Sequence, residues 1–234
     1  MTNKLEVDGV ILEFDSKRVL QNVYLKSETG KVTGLLGRNG TGKSCLMKII
    51  YGELLPNGSS IRLDGKPIYN EFRNPTDIMF LPQGRFIPKS LTIKTIFKHF
   101  QLDFSDFITE FPEFKKLYKE RFKNLSGGEQ RILEIYLILA SDSKFCLLDE
   151  PFSQIMPLHI EIIKRLILKE KRDKGIIITD HLYKHILDIC DELYVIDEGK
   201  TYLTKGLQDL ETLGYTRINT LPEMKMCNYT KTYI

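Results

Sequence analysis

Apolar and polar residues alternate over Lys4–Phe14 (KLEVDGVILEF) and again over Asn22–Glu28 (NVYLKSE), the period of two expected of half-buried strands. Lys31–Gly37 (KVTGLLG) reads as a third strand, and turn chemistry stands at Asp8-Gly9 and Thr29-Gly30. The period then changes. Ser44–Leu54 has helical spacing and stops before Pro56-Asn57-Gly58; Ser59–Ile68 reads as a hairpin around Asp64-Gly65; Asp77–Gln83 reads as one more strand, halted by Pro82.

From Arg85 to about Asn124 the chain becomes aromatic-rich, and the amphipathic pieces LTIKTIFKHF (91–100) and PEFKKLYKERF (112–122) predict short helices, with Pro112 suited to a first turn. Beyond Ser126 the pattern predicts helix 127–141, strand 144–150, helix 158–172, strand 175–180, helix 182–191 and strand 192–199. Apolar strands flanked by amphipathic helices imply an α/β fold with a mostly parallel sheet covered on both faces.

At 234 residues, with 42% hydrophobic and 28% charged residues, the composition fits one globular domain. A net charge of +3 from 34 basic and 31 acidic residues gives no reason to expect nucleic acid as a partner. The start of the chain lacks a continuous apolar run and Ile135–Ala140 is too short to cross a bilayer, so the chain is expected neither to span a membrane nor to be exported. Four cysteines, Cys45, Cys146, Cys190 and Cys227, without a CxxC pair fit a reduced cytosolic protein with buried, inert thiols.

Candidate chemistry begins directly after the third strand, where Gly37-xxxx-Gly42-Lys43-Ser44 packs glycines and a cation into one loop. Glycine lets the backbone turn with its N–H groups inward, the following helix adds its positive end, and lysine a full charge, a geometry suited to a polyphosphate. Lys43 would span the β- and γ-phosphates and Ser44 would offer its hydroxyl to Mg²⁺. A random chain of this length carries the spacing about 1% of the time, before the strand and helix on either side are required.

A metal-bound phosphate needs a carboxylate, and KFCLLDEP supplies two at a strand end, where a doubly wound sheet opens its ligand crevice. Asp149 suits Mg²⁺ and Glu150 suits polarising the attacking water. His181, in IIITDHL, and Gln83 stand at two further strand ends, so polar groups from several strands would converge on one crevice. His181 and His185 are also spaced as a zinc pair on one helix face, yet Leu182, not glutamate, follows His181.

GRNGTGKS, LPQ, LSGGEQ, CLLDEP and TDH in this order resemble the ATP-binding cassette (ABC) ATPase family over about residues 4–206. The resemblance implies a P-loop NTPase core with a mostly parallel sheet, an N-terminal antiparallel β subdomain and a short helical insert. It lays out one domain over 1–234: core over 1–84 and 136–215, helical subdomain with the signature stretch over 85–135, and a tail over 216–234. It implies ATP and Mg²⁺ as cofactors. Gly37, Arg38, Asn39, Gly40, Thr41, Gly42, Lys43, Ser44 and Cys45 would cradle the phosphates, Phe14 would stack on adenine, and Ser44, Gln83 and Asp149 would serve the metal. Glu150 would be the general base, His181 the γ-phosphate contact and Gln83 its sensor. Ser126, Gly127, Gly128 and Glu129 would close over ATP held by a second subunit, two cassettes meeting head to tail as a homodimer.

The resemblance further implies a transmembrane permease partner docked near SLTIKTIF and Gln83, hence a cytoplasmic protein held at the inner face of the cell membrane. LLDEPFSQIMPLHIEIIKRLI followed by ITDHLYKHILDICDELYVID looks most like the lipopolysaccharide-export and branched-chain amino-acid importer branch. Three departures stand out: Cys45 where a hydroxyl residue is common, Met156 where an aspartate usually precedes the proline, and a short insert followed by the unmatched tail TLPEMKMCNYTKTYI. A soluble cassette ATPase of a non-transport assembly, such as iron-sulfur cluster biogenesis, is the alternative function; a nucleotide-binding module without hydrolysis is the third, opposed by Glu150 and His181.

Overall fold

In the computed structural model, residues 2–15, 17–69, 73–204 and 209–210 are described. Tail residues 216–234, and Cys227 with them, lie outside this set. A four-stranded antiparallel sheet in the order β2-β1-β4-β5 comprises β1 (Lys4–Phe14), β2 (Lys17–Glu28), β4 (Gly58–Leu63) and β5 (Lys66–Pro67). The second sheet contains β3 (Val32–Gly37), β6 (Ile78–Leu81), β7 (Phe145–Asp149), β8 (Gly175–Thr179), β9 (Glu192–Asp197) and β10 (Lys200–Leu203), in the order β10-β9-β3-β8-β7-β6. Neighbours from β9 to β6 run parallel; only the edge strand β10 is antiparallel, so the expected α/β architecture holds.

The parallel strands are buried on both faces because successive side chains alternate between two cores. Leu36, Leu148, Ile176 and Ile178 face the helices, while Leu35, Leu147 and Ile177 face the antiparallel sheet and helix α1 (Lys43–Tyr51). This double covering explains the unbroken apolar runs in the sequence.

The helical layer consists of α2 (Ile93–Phe100), α3 (Phe104–Glu110), α4 (Gly127–Ala140), α5 (Pro157–Glu170) and α6 (Tyr183–Leu187). In the insert, Phe107 lies with its ring centre 4.8–5.4 Å from those of Phe97, Phe111, Phe114 and Tyr136. Such aromatic packing lets a short segment bury a core without a sheet. Residues 112–122 form a short helix only in their first half, with Pro112 in its first turn as expected: Pro112–Leu117 and Phe122–Asn124 are 3₁₀ helices, and the backbone between them bonds to the start of α2 through Ile93 N–H to Glu120 O and Lys94 N–H to Tyr118 O. The expected division at 135/136 falls inside α4, which is continuous through it.

Asp8-Gly9 is also not a turn. Val7 pairs with Leu25 and Val10 with Val23, so two residues of β1 face one of β2, and the strand continues through a bulge with Gly9 at φ +63°. Pairing on both sides of β1 outweighs the local turn preference. Helix α6 ends at Leu187, shorter than expected, and β2 begins at Lys17.

Candidate active site

The loop between β3 and α1 is shaped by two glycines. Gly42 caps α1 at φ +99°, and a Cβ there would stand 2.7 Å from Leu20 Cδ2; a Cβ on Gly37 would stand 2.6 Å from Thr41 Oγ1 and 2.9 Å from Ile196 O. At Gly37 the clash includes backbone, so a larger residue there would force the loop to shift; at Gly42 the positive φ strains any side chain. Lys43, 6% exposed, turns back into the loop and donates to Gly37 O at 2.8 Å and Arg38 O at 3.1 Å. Burial lowers its pKa, and the negative charges of Glu150, Asp149 and Asp180 oppose that shift.

A cavity of about 640 Å³ opens beside this loop. It is lined by Phe14, Val19, Asn39, Gly40, Gly42, Lys43, Ser44, Cys45, Gln83, Glu150 and His181. The structure thus brings the strand-end residues Gln83, Glu150 and His181 to the loop, as the crevice rule predicts. Gln83 Nε2 donates to Glu150 Oε2 at 2.8 Å, and His181 Nδ1 lies 3.7 Å from the same oxygen. Glu150 has φ +48°, unusual for a non-glycine residue, and its N–H donates to Thr179 O at 2.8 Å.

Asp149 lies behind the cavity, 1% exposed, hydrogen-bonded to Ser44. Burial raises its pKa, the Ser44 hydrogen bond opposes this, and Glu150 adds to it. Its Oδ1 is buried without a hydrogen-bond partner among the described residues. A carboxylate oxygen left so is costly unless a cation meets it. With the Ser44 hydroxyl bonded to this carboxylate and Gln83 in the same cavity lining as Ser44, the oxygen donors present fit Mg²⁺. The zinc spacing of His181 and His185 is not realised as a pair: His181 faces Glu150, while the His185 ring packs 5.5 Å from Phe152 with Nδ1 buried and without a hydrogen-bond partner among the described residues.

Ser126, Gly127, Gly128 and Glu129 do not line this cavity. They form the start of α4, where Ser126 Oγ accepts from Glu129 N and Glu129 Oε2 accepts from Ser126 N at 2.7 Å, a reciprocal capping box. Arg38 and Thr41 belong to the loop but not to the lining; Thr41 Oγ1 donates to Arg38 O. Phe14, 47% exposed, stands at the mouth. Cys45 is not one of the buried thiols expected: it lines the cavity, and partial burial raises its pKa and keeps it a thiol, a weak donor. Met156 is 63% exposed just before α5.

Two buried charged residues escaped the motif reading. Asp180 accepts from Phe152 N at 2.9 Å and Leu182 N at 2.8 Å, tying the loop after Glu150 to the one that carries His181. Arg131 reaches three backbone oxygens beside Gln83 and Glu150. A charge within the apolar run RILEIYLIL was the available signal.

The ABC transporter family profile matches residues 20–153, more than half of the chain. A lipopolysaccharide export system ATP-binding protein, LptB, of Haemophilus influenzae is 30% identical over 217 residues, which cover 86% of this chain and 89% of that protein. An uncharacterized ABC transporter ATP-binding protein of Rhizobium meliloti is 33% identical over 85% of this chain and 78% of its own length. Among solved structures, the ATP-binding subunit of an ABC transporter superposes with a TM-score of 0.76 at 20% identity, covering 90% of this chain and 93% of that one, a likeness of fold. The chain belongs to the ABC transporter family of ATP-binding proteins. It is an ATPase subunit of that family.

Proposed function

We propose that this chain binds Mg-ATP in the cavity beside Lys43, dimerises head to tail around two nucleotides, and drives a separate membrane permease from the cytoplasmic face. The carrying observation is the separation of the two halves of the motif set. Lys43, Ser44, Gln83, Glu150 and His181 meet at one open cavity, while Ser126–Glu129 of the same chain stand elsewhere on the exposed start of α4. A second copy supplies the missing half when its α4 start faces this cavity, its N–H groups toward the γ-phosphate.

Lys43 exchanges the carbonyls of Gly37 and Arg38 for phosphate oxygens on binding. Ser44, Asp149 and Gln83 would hold Mg²⁺, which when bound would neutralise phosphate charge. Glu150 Oε2 takes a proton from the attacking water as its oxygen bonds to the γ-phosphorus and the bond to ADP breaks. Gln83 and His181, both close to that oxygen, orient it and the γ-phosphate. Closure around ATP is passed to the permease as a rigid-body movement. The 30% identity to proteins named for lipopolysaccharide export supports an export-branch relative and no particular cargo.

The test is sedimentation of the Glu150→Gln full chain with ATP and Mg²⁺. A dimer of twice the chain mass that holds ATP is expected; a monomer at saturating ATP would sink the head-to-tail reading. Purification from detergent-solubilised membranes tests the partner: a multi-span subunit supports transport, whereas soluble partners alone would favour a non-transport assembly.

A further inference from the structure

Arg131 lies on α4, one turn beyond the start of the signature helix, and is 1% exposed. A guanidinium removed from water needs its donors occupied. Nη1 donates to Pro82 O at 2.7 Å, and Nη2 donates to Asp149 O at 2.7 Å and Glu150 O at 2.9 Å. Pro82 immediately precedes Gln83. Asp149 and Glu150 are consecutive, and successive carbonyls of an extended strand point to opposite sides. One nitrogen can collect both only if the backbone between them departs from extension.

Glu150 departs in this way, with φ +48°. A left-handed non-glycine residue is strained and persists where its surroundings over-determine it. Here the two carbonyls bound to Arg131 and the Glu150 N–H bound to Thr179 O hold it from both sides. The backbone so fixed sends the Glu150 carboxylate toward Gln83, whose own position is set by the Pro82 carbonyl on the same guanidinium.

A second layer holds Arg131. Glu134, fully buried, lies 3.9 Å from its Nη1 and 3.3 Å from Arg85 Nη1, and accepts from Phe86 N at 3.1 Å. Arg85 in turn donates to Gly127 O at 2.6 Å and to Gln154 Oε1 at 3.1 Å. The cluster therefore joins the segment after β6, the first turn of α4 and the loop after β7. Burial pulls Arg131 down to about 10, which leaves it cationic at neutral pH.

We propose that Arg131 is a positioning residue for ATP hydrolysis, which aligns Gln83 and Glu150 through the carbonyls of Pro82, Asp149 and Glu150 without touching nucleotide. This rests on the ATPase reading of the same site. It also makes α4 a mechanical link: its first turn meets the ATP of the second copy, and its Arg131 holds the base that acts on the chain's own ATP.

The experiment compares the full chain with Arg131→Met and Arg131→Lys, measuring ATP affinity, melting temperature and single-turnover hydrolysis per ATP-bound site. Misplacement of reacting groups by about 1 Å costs about 100-fold in rate. Arg131→Met is therefore expected to lose about 100-fold per bound site with ATP affinity unchanged, and Arg131→Lys, which keeps the charge but not the fork, to recover part of that loss. A merely structural role would lower the melting temperature and leave the rate per bound site at the wild-type value, which overturns the proposal. If Arg131→Met does not fold, Arg131→Lys decides by the same ratio. Absence of hydrolysis in the unsubstituted chain overturns the ATPase reading and this one together; equal rates per bound site in all folded proteins overturn only this one.

Discussion

The cavity beside Lys43 and the start of α4 are the two halves of each proposed nucleotide site, one from each copy, yet they are built on opposite terms. At and behind the cavity, buried charge is left incompletely matched: Asp149 Oδ1 has no partner among the described residues, and Lys43 donates to its own loop. At the start of α4, Ser126 and Glu129 satisfy each other. One region holds its polar groups at a free-energy cost that a ligand can relieve; the other is stable alone and exposed. The difference teaches which half should grip nucleotide first.

Five changes break or sharpen that contrast. Glu150→Gln removes the proposed general base and should lower hydrolysis about 10²–10⁴-fold with ATP still bound, read by single-turnover kinetics; wild-type turnover would remove Glu150 from the chemistry. Lys43→Ala deletes charge-assisted bonds worth about 1.5–3 kcal/mol, so ATP affinity should fall about 10- to 150-fold by calorimetric titration. Phe14→Ala, at the cavity mouth, loses a stacking contribution of about 0.5–1.5 kcal/mol, and ATP should bind about 2- to 12-fold more weakly in the same titration.

Ser126→Ala should behave in the opposite way. Loss of the cap costs about 1 kcal/mol, a fall in melting temperature of about 2–4 °C, while the monomer's ATP affinity stays at its wild-type value. A fall in monomer affinity would show that both regions of one chain share one ATP.

The smallest effect concerns His185, which lies behind His181 against Phe152. Burial, with Lys164 adding to it, depresses its pKa below the ordinary 6.5. The folded state then binds fewer protons than the unfolded one, so the stability it contributes is present above pH 6.5 and is lost as pH falls through the folded value. His185→Leu should show a smaller drop in melting temperature between pH 7.5 and 5.5 than wild type; an equal drop would place the acid sensitivity at another group.

The sequence made the cavity side largely legible because glycines at fixed spacing and polar residues at strand ends are local signals. Gly42, Lys43, Gln83, Glu150 and His181 could be placed on elements before any fold was known, and the alternation of apolar strands with helices gave the parallel sheet. What stayed hidden depends on contacts between distant segments. Asp8-Gly9 reads as a turn locally but is a bulge because β1 is paired on both sides. Residues 112–122 have helical periodicity, yet their backbone bonds to α2 and tightens into 3₁₀ turns. Arg131 and Glu134 look like ordinary helix charges until Pro82, Phe86, Asp149 and Glu150 are brought around them.

Lys43, folded back onto Gly37 and Arg38, has a consequence for the resting protein. The two carbonyls hold its ammonium where phosphate oxygens could later accept from it, so the loop keeps its curvature without nucleotide to template it. In the proposed binding mode, arrival of ATP is an exchange of partners at one nitrogen, with little chain ordering left to slow the encounter.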